Sequence, residues 1–408
     1  MAARDVDEQL RVLRAGSVDC ITEDELSRRL ASGRSLRVKL GLDPSRPDIH
    51  IGHAVVLRKL RRFQDLGHTA VLIVGDFTAQ LGDPSGRSAT RPALSKADAD
   101  TNAATYFEQA QRILSPDRLE IRHNSEWLGE MGIDDVLRLT ARSTVARMLE
   151  RDDFAKRYAA GTPISVMELL YPLLQGWDSV MVRADVELGG TDQLFNLLAA
   201  RGLQEHEGQP PQVVLTMPLL VGLDGSQKMT KSLDNFVGVT EAPEAQFGKL
   251  MRIPDDAMPE YVELATGWHP DRVAETLGEL EATEGADRGE LKRLLARTIV
   301  DLYHGDGAGA RAEAEFDRVY RDHAAPRDVE EFVLSPAELR DGRIEVGRLL
   351  ALAGLVGSNR EGRRKITEGG VYLGDERVTD PSVEVAPADV DGRFLRLGRR
   401  RWRRIRAG

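Results

Sequence analysis

The sequence predicts an α/β fold in which a doubly wound parallel sheet is followed by an α-helical domain and a small α+β domain. Three observations support this class. A strand–helix–strand pattern occupies residues 35–77, the pattern becomes almost purely helical after about residue 240, and a separate helix–helix–strand pattern begins near residue 343. A chain of 408 residues is also too long for one ordinary hydrophobic core, so several domains are expected.

The strand–helix–strand pattern is clearest at the start of the chain. The segment "SLRVKLGLDP" is apolar and ends in an Asp-Pro turn, which is typical of a strand that leaves the sheet. The next segment, "GHAVVLRKLRRFQDLGH", has apolar residues at helical spacing. The third, "TAVLIVGDF", is almost continuously apolar, as in a strand buried on both faces. This succession predicts a parallel sheet with a right-handed crossover.

Further strands are predicted at "LEIRHNS", "ADVELGG" and "QVVLTMPLL", so that the sheet domain occupies residues 1–225. Helical patterns such as "RGELKRLLARTIVDLYHG" predict a helical domain at 226–325. Residues 326–342 are rich in proline and charge and are interpreted as a linker, and residues 343–408 as a separate folding unit. Ligands of such sheets bind at the carboxyl ends of the strands.

Composition narrows the class of protein. The N-terminus is too polar for a signal peptide, and no run approaches the roughly 18 apolar residues of a membrane helix. The single cysteine, Cys20, excludes an internal disulfide and a cysteine-rich zinc site, so we expect a cytosolic protein. The net charge is −10, yet the last 17 residues contain eight arginines and no acid. This asymmetry favours a local contact with nucleic acid over a disordered tail.

Two histidines mark the first candidate site. The segment "DPSRPDIHIGH" follows the first predicted strand, and His50 and His53 lie three residues apart where a helix begins near Gly52. Free backbone N–H groups and the helix dipole form an anion site there, and side chains at this spacing share one helix face. A histidine pair alone is more often an incidental surface feature. Its place after a strand and an Asp-Pro turn favours an anion site.

A lysine-containing loop marks the second candidate site. The segment "DGSQKMTKSLDN" carries Lys228 and Lys231 after a turn at Gly225 and Ser226, which we expect to be mobile. Two lysines on a flexible loop suit a polyphosphate whose charge grows during a reaction. The alternative is an ordinary solvated basic loop.

Taken together, these segments resemble the bacterial-type tyrosyl-tRNA synthetases, which are class I aminoacyl-tRNA synthetases. "HIGH" at 50–53 and "KMTKS" at 228–232 look like the two class I signatures in the right order. The resemblance continues through "GDPSGRSATR", "YPLLQGWD" and "GGTDQ" and covers the whole chain, including the C-terminal module. At position 39 this chain has Lys39 where many members of the family have a tyrosine.

The resemblance implies a Rossmann-like catalytic domain with a dimer-interface insertion at about 130–170, a helical anticodon-side domain that includes the KMTKS loop, and a ribosomal-protein-like RNA-binding domain at 343–408. It implies activation of tyrosine by ATP with Mg²⁺, transfer of the tyrosyl group to the 3′ end of tRNA(Tyr), and a homodimer. No tightly bound cofactor, metal site or membrane contact is expected.

The family's functional residues are carried over to the matching positions of this sequence. The catalytic set is His50, His53, Lys228, Thr230 and Lys231. The ATP-binding set is Asp43, Gly52, Gly190, Asp192 and Lys231. The tyrosine-binding set is Lys39, Asp83, Asn124, Tyr171, Gln175, Asp178 and Gln193. The RNA-binding set is Arg360, Arg363, Arg364, Lys365, Arg399 and Arg400.

Other interpretations of the same residues remain open at this point. Tyr171 could be a core residue, and Asp83 could simply cap a turn before its proline. A tryptophanyl-tRNA synthetase shares the chemistry, and Asp178 could accept an indole N–H. A non-catalytic RNA-binding paralogue would not need both signatures. A small-molecule adenylyltransferase would have no use for a basic RNA-binding module.

Overall fold

The computed structural model describes residues 5–44, 49–85, 96–283, 285–320, 329–398 and 401–408. The chain forms two compact units, Met1–Asp306 and Gly307–Gly408. The first unit contains the predicted sheet and most of the predicted helical region. The second contains the basic C-terminal segment.

The first unit is built on a six-stranded sheet in the order β1-β6-β5-β2-β3-β4. Strands β2 to β6 are parallel, as the sequence predicts, and β1 pairs antiparallel with β6 at the edge. Strand β1 has two residues, too few to give a sequence pattern, and was missed. The strands are β1 Cys20–Ile21, β2 Arg37–Leu42, β3 Thr69–Val74, β4 Leu119–His123, β5 Val186–Gly190 and β6 Val213–Met217.

Helices cover the sheet and follow it in the chain. Those before β6 are α1 Val6–Arg14, α2 Glu23–Ala31, α3 Ile51–Asp65, α4 Thr78–Leu81, α5 Lys96–Ala110, α6 Ser125–Leu128, α7 Ile133–Thr140, α8 Val145–Met148, α9 Asp152–Ala159, α10 Val166–Val182 and α11 Leu194–His206. Those after it are α12 Pro243–Leu250, α13 Met258–Ala265, α14 Pro270–Ala282 and α15 Ala286–His304.

Two helices position the site. Helix α3 buries Val55, Leu60 and Phe63, the apolar face that its spacing predicts. Helix α10 begins at a capping box formed by Ser165 and Glu168, which satisfies its first free N–H groups. One core cluster joins α10 to β3 and α6. This packing fixes the helix that carries the "YPLLQGWD" motif against the sheet.

The second unit has its own hydrophobic core. A five-stranded sheet, in the order β10-β9-β12-β13-β7, and a two-stranded sheet of β8 and β11 accompany four helices. The strands are β7 Glu331–Leu334, β8 Ile344–Glu345, β9 Val371–Leu373, β10 Glu376–Arg377, β11 Glu384–Val385, β12 Phe394–Leu397 and β13 Arg401–Ala407. The helices are α16 Ala308–Tyr320, α17 Val346–Leu352, α18 Asn359–Thr367 and α19 Pro387–Val390.

One expectation about this unit needs correction. The segment 326–342, interpreted as a linker, contains β7, which pairs in parallel with β13. The backbone groups of β7 find hydrogen-bond partners only when β13, the last strand of the chain, lies beside them. The local sequence pattern does not reveal a partner so distant in the chain. The arginine-rich terminus contributes β12 and β13. Arg399 and Arg400 lie outside the described residues.

Two features are absent from the described part of the chain. Its helices include none long and apolar enough to cross a membrane. Its histidine, cysteine and acidic side chains include no group of three or more arranged to hold a metal ion.

Candidate active site

A cavity of about 440 Å³ opens at the carboxyl ends of β2, β3 and β5. Its walls combine the start of α3, the lysine-containing loop and the inner face of α10. This is the edge at which parallel sheets bind their ligands. Fourteen of the predicted site residues line it: Asp43, His50, Gly52, His53, Asp83, Tyr171, Gln175, Asp178, Gly190, Asp192, Gln193, Lys228, Thr230 and Lys231.

The two histidines form a stacked pair at the start of α3. Their ring centroids lie 3.8 Å apart, and His53 Nδ1 accepts a hydrogen bond of 3.4 Å from the backbone N–H of His50. At Gly52 a Cβ would lie 3.0 Å from Nδ1 of His50, so a larger residue would crowd the ring. Within the described part of the chain, His50 Nδ1 is buried without a hydrogen-bond partner.

Both histidines are neutral at physiological pH. Burial is the main cause, and it lowers the pKa of His50 to about 2 and that of His53 to about 4. The neighbouring imidazole adds to the effect on His50, and Lys231 and Lys228 act on both rings. Neutral imidazoles each offer one N–H donor, so the pair can bind an anion without gaining a proton.

The lysine-containing loop is held by two of its own side chains. Asp224 accepts hydrogen bonds from the backbone N–H groups of Ser226 (2.8 Å) and Gln227 (2.7 Å), which lower the pKa of its carboxyl. Asn235 accepts a bond of 2.8 Å from Thr230 N–H and donates to the carbonyl of Lys228 at 3.1 Å and to Asp224. The turn that we expected to be mobile is therefore braced in this structure.

In this conformation the loop lines the cavity. The Lys228 ammonium lies 3.7 Å from Asp192, and Met229 between the two lysines is buried against Gly52. Burial is the main cause of a raised pKa at Asp192, which Lys228 opposes. The loop and the histidine pair thus face the same space. Sequence reasoning identified the lysines but missed Asn235, whose role depends on three partners brought together by folding.

Helix α10 supplies the other wall. Tyr171, Gln175 and Asp178 recur at intervals of four and three, so they share one helix face. The hydroxyl of Tyr171 donates to Asp43 at 2.7 Å, which makes it a site residue as well as a core residue. Its hydroxyl pKa is raised well above the usual value, mainly by burial and then by Asp43.

Asp178 is a buried carboxylate at the base of the cavity. It accepts bonds from the indole N–H of Trp127 at 2.8 Å and from the Asn124 amide at 3.3 Å. Burial raises its pKa to about 6, while Lys39 and the two hydrogen bonds oppose that rise. An acceptor fixed in this way is suited to a ligand that brings its own N–H or O–H donor.

Asn196 joins several predicted site residues and was missed by sequence reasoning. It is fully buried, and its amide donates to the side-chain oxygens of Gln175 (3.0 Å) and Gln193 (3.1 Å). Gln193 in turn donates to Asp83 at 2.7 Å. Asn196 lies in "QLFNLL", three residues after Gln193. This helical spacing, which places the two side chains on one face, is the only sequence signal that could have identified it.

Two residues expected to bind the substrate do not line the cavity. Lys39 is fully buried and paired with Glu187, so it is not placed for the expected direct contact with a ligand. Asn124 is also fully buried and reaches the site only through Asp178 and Thr78. Their positions in a strand and at a strand end were consistent with either orientation, and packing decided between them.

Four of the predicted RNA-binding residues, Arg360, Arg363, Arg364 and Lys365, lie in the second unit, on α18. Their charge is partly balanced by neighbouring acids. Arg363 pairs with Glu345, and Lys365 pairs with Glu368 at 2.6 Å. Arg360 is exposed. The charge of this helix is therefore less concentrated than the sequence alone indicates.

A second basic feature lies on one face of the five-stranded sheet. The guanidinium of Arg396 lies 3.9 Å from the ring centroid of Tyr372 and 5.0 Å from that of Trp402. The register places these three side chains opposite one another on β12, β9 and β13. Aromatic and guanidinium planes are the groups on which RNA bases stack.

The fold and the site together define a class of protein: an α/β protein with a cavity at the carboxyl ends of its parallel strands, lined by a histidine pair and a lysine-containing loop. Comparison with known proteins identifies the family. Residues 31–321 match the family model described as tRNA synthetases class I (W and Y). The chain belongs to this family, and its parallel sheet with accompanying helices is of the α/β class that the sequence predicts.

The most similar relatives found include two curated bacterial proteins named tyrosine–tRNA ligase. That of Salinibacter ruber is 51% identical over 100% of this chain and 98% of its own length. That of Thermotoga maritima is 47% identical over 98% of each chain.

Among solved structures, a C-terminally truncated mitochondrial tyrosyl-tRNA synthetase of Aspergillus nidulans matches with a TM-score of 0.64 and 22% identity, over 78% of this chain and 94% of that one. The tyrosyl-tRNA synthetase of Archaeoglobus fulgidus, solved with L-tyrosine, matches with a TM-score of 0.61 and 21% identity, over 76% and 99%. These two likenesses concern the fold.

Proposed function

We propose that this protein is a tyrosine–tRNA ligase, which activates tyrosine with ATP and transfers the tyrosyl group to tRNA(Tyr). The observation that carries the proposal is the buried carboxylate of Asp178 at the base of a cavity whose mouth holds the histidine pair and the lysine loop. Curated relatives named tyrosine–tRNA ligase, similar over the whole chain, support it and do not support the tryptophan alternative.

The first step joins the tyrosine carboxylate to the α-phosphate of ATP and releases pyrophosphate. Both reactants are ready-made, so the protein needs to position them and to stabilise charge. His50 and His53 donate N–H bonds to the phosphate oxygens as the pentacoordinate state forms. Lys228 and Lys231 hold the departing pyrophosphate, with Thr230 as a further donor.

ATP enters as its Mg²⁺ complex, and no tightly bound cofactor is part of the proposal. Asp192 accepts hydrogen bonds from the ribose hydroxyls. Gly190 leaves room for the nucleotide against the backbone, since a Cβ there would meet Asp192 at 2.7 Å and Leu219 at 2.9 Å. Asp43 and Gly52 complete the nucleotide side of the cavity.

Tyrosine binds along α10. Tyr171, Gln175 and Asp83 hold its ammonium group, and Gln193 lies near its carboxylate. Asp178 accepts the phenolic O–H, and Asn124 acts by fixing Asp178. Phenylalanine is rejected because it would leave a buried carboxylate without its partner.

The second unit binds tRNA(Tyr) through Arg360, Arg363, Arg364 and Lys365, with Arg399 and Arg400 as further contacts in the same basic segment. The cluster of Arg396, Tyr372 and Trp402, in which Trp402 is buried and the other two side chains are half-buried, supports this role. The proposed location of the reaction is the cytoplasm.

We also propose a homodimer formed through residues 130–170. Apolar side chains are unusually exposed there: Ile133 is 74% exposed and Val166 75%, and Leu137 and Val145 are exposed as well. Surfaces of this kind mark protein contacts. Sedimentation of the wild type and of Ile133→Asp tests the proposal, because a dimer should dissociate in the variant.

Pyrophosphate exchange into ATP tests the proposed function directly. Exchange should depend on tyrosine and be far weaker with phenylalanine or tryptophan supplied side by side. Exchange driven by tryptophan, or none with any of the three, would overturn the assignment.

A further inference from the structure

A fully buried ion pair lies behind the cavity. Lys39 Nζ is 2.8 Å from Glu187 Oε1, and the two side chains are 0% and 1% exposed. They stand opposite each other on the neighbouring parallel strands β2 and β5. Buried pairs contribute little net stability, because the cost of removing two charges from water offsets their attraction. Stability alone is therefore a weak explanation for this pair.

The pair is bonded to the helix that carries Asp178. The Lys39 ammonium donates to the carbonyl of Gln175 at 2.9 Å and to the hydroxyl of Ser179 at 2.8 Å. Ser179 in turn donates to Glu187 at 2.9 Å. Gln175 and Ser179 enclose Asp178 in the chain, so these bonds tie that turn of α10 to two strands of the sheet.

The pair also acts on the charge of Asp178. Lys39 favours the ionised carboxylate and Glu187 opposes it, and both effects are smaller than the effect of burial. On its own helix Asp178 faces Tyr171, whose hydroxyl is not ionised. From α6 it faces the neutral indole of Trp127.

A further charged side chain on the Trp127 side of Asp178 is Arg122, and its charge is balanced by a neighbouring acid. Arg122 lies over the Trp127 ring, 5.4 Å from its centroid, and is itself paired with Glu126. After burial, the largest influence on the ionisation of Asp178 is the charge of Lys39; the hydrogen bonds from Trp127 and Asn124 come next, and Glu187 has a smaller, opposing effect.

We propose that Lys39 and Glu187 are positioning residues for tyrosine recognition: they fix the turn of α10 and set the local charge that keeps Asp178 an acceptor for the phenolic O–H. This inference rests on the proposed function and deepens it. Asp178 touches the substrate, and the pair acts through Asp178.

The proposal predicts two opposite changes in pH dependence. Tyrosine use should fall as pH falls through about 6, because Asp178 takes up a proton and ceases to be a pure acceptor. Lys39→Met removes a positive charge, so this acidic limb should move to higher pH. Glu187→Gln removes a negative charge, so the limb should move to lower pH. A merely structural role would not give opposite signs.

The experiment measures kcat/KM for tyrosine and for phenylalanine by pyrophosphate exchange between about pH 5 and 8, in wild type and both variants. A shift of one unit in Lys39→Met would lower tyrosine use at pH 6 roughly fivefold. Phenylalanine use should change much less, because it makes no bond to Asp178.

Lys59→Met is the matched control. Lys59 is also buried, but its ammonium donates to the backbone carbonyls of Leu13 (2.8 Å) and Ala15 (2.5 Å), away from the cavity. This variant should lose thermal stability and keep both the acidic limb and the preference for tyrosine.

The outcomes separate cleanly. Limbs that stay in place, or that move in the same direction in both variants, would overturn the inference. If Lys39→Met does not fold, the isosteric Glu187→Gln decides the matter by the direction of its shift. A wild type without tyrosine-dependent exchange would instead overturn the proposed function, on which the inference rests.

Discussion

At the scale of single residues, His50 and His53 act together as a pair of neutral N–H donors in the proposed reaction. Their rings are stacked, His50 is buried and His53 half-buried, and one edge of His50 has no partner within the described residues. Burial keeps both rings neutral, so each can donate one N–H to phosphate over the physiological pH range. The rates of the proposed reaction should accordingly show no titration of these two groups near the ordinary histidine pKa.

His53→Ala should slow adenylate formation by about 10²- to 10³-fold, the usual effect of removing one donor to a transition state. Tyrosine affinity should change little, because the ring faces phosphate and not the side chain of the substrate. Rapid-quench measurement of adenylate formation gives both quantities. An unaltered rate with weaker tyrosine binding would contradict the role.

Asp178→Ala should lower kcat/KM for tyrosine by roughly 10- to 150-fold, which corresponds to about 1.5–3 kcal/mol for a hydrogen bond to a charged group. Phenylalanine should lose far less, since it has no hydroxyl to place. The two substrates are compared by pyrophosphate exchange. Equal losses would show that this carboxylate does not recognise the hydroxyl.

At the scale of the element, the lysine loop owes its shape to Asp224 and Asn235 and not to regular secondary structure. Asn235 alone contacts the backbone at Lys228 and Thr230, on both sides of Met229. The ammonium groups of Lys228 and Lys231 can then bind the departing pyrophosphate with little rearrangement of the loop. Such preorganisation is how positioning contributes to catalysis.

Asn235→Ala should therefore slow adenylation about tenfold, because the lysines become less well placed; a factor of ten corresponds to about 1.4 kcal/mol in the activation barrier. The KM for tyrosine should stay near the wild-type value. Gln227→Ala is the control, because this exposed side chain lies in the same loop. Similar rates for both variants would show that the bracing is unimportant.

At the scale of the whole molecule, the chain consists of two units with separate hydrophobic cores. All fourteen predicted site residues that line the cavity belong to the first, whereas the predicted RNA contacts belong to the second. Adenylation and tRNA binding are thus expected to be separable by truncation.

A chain that ends at residue 328 lacks β7 and all later strands, and should form tyrosyl-adenylate normally while charging tRNA poorly. For the full chain, tRNA affinity should fall by about 0.7 to 0.9 log units per log unit of salt for each phosphate neutralised. The truncated chain should have a smaller slope. Parallel losses of adenylation and charging, or equal salt slopes, would contradict the RNA-binding role.

The sequence by itself determined the parallel sheet, the helix start at His50 and the cavity residues of the two signature motifs. These features have local causes: apolar periodicity, turn residues and side-chain spacing along one helix. Resemblance to a known family supplied the roles of Tyr171, Gln175 and Asp178, and the structure brings all three to one cavity.

Only the tertiary structure decided which polar residues form hydrogen bonds and ion pairs with one another. Lys39 was expected to touch the substrate, yet it meets Glu187, a residue 148 positions away, and the bridging amide of Asn196 and the brace at Asn235 were not foreseen. Strand β7 likewise became recognisable only beside β13. Such partners are distant in sequence or fixed by loop geometry, and a buried polar group takes whichever partner packing brings within hydrogen-bond distance.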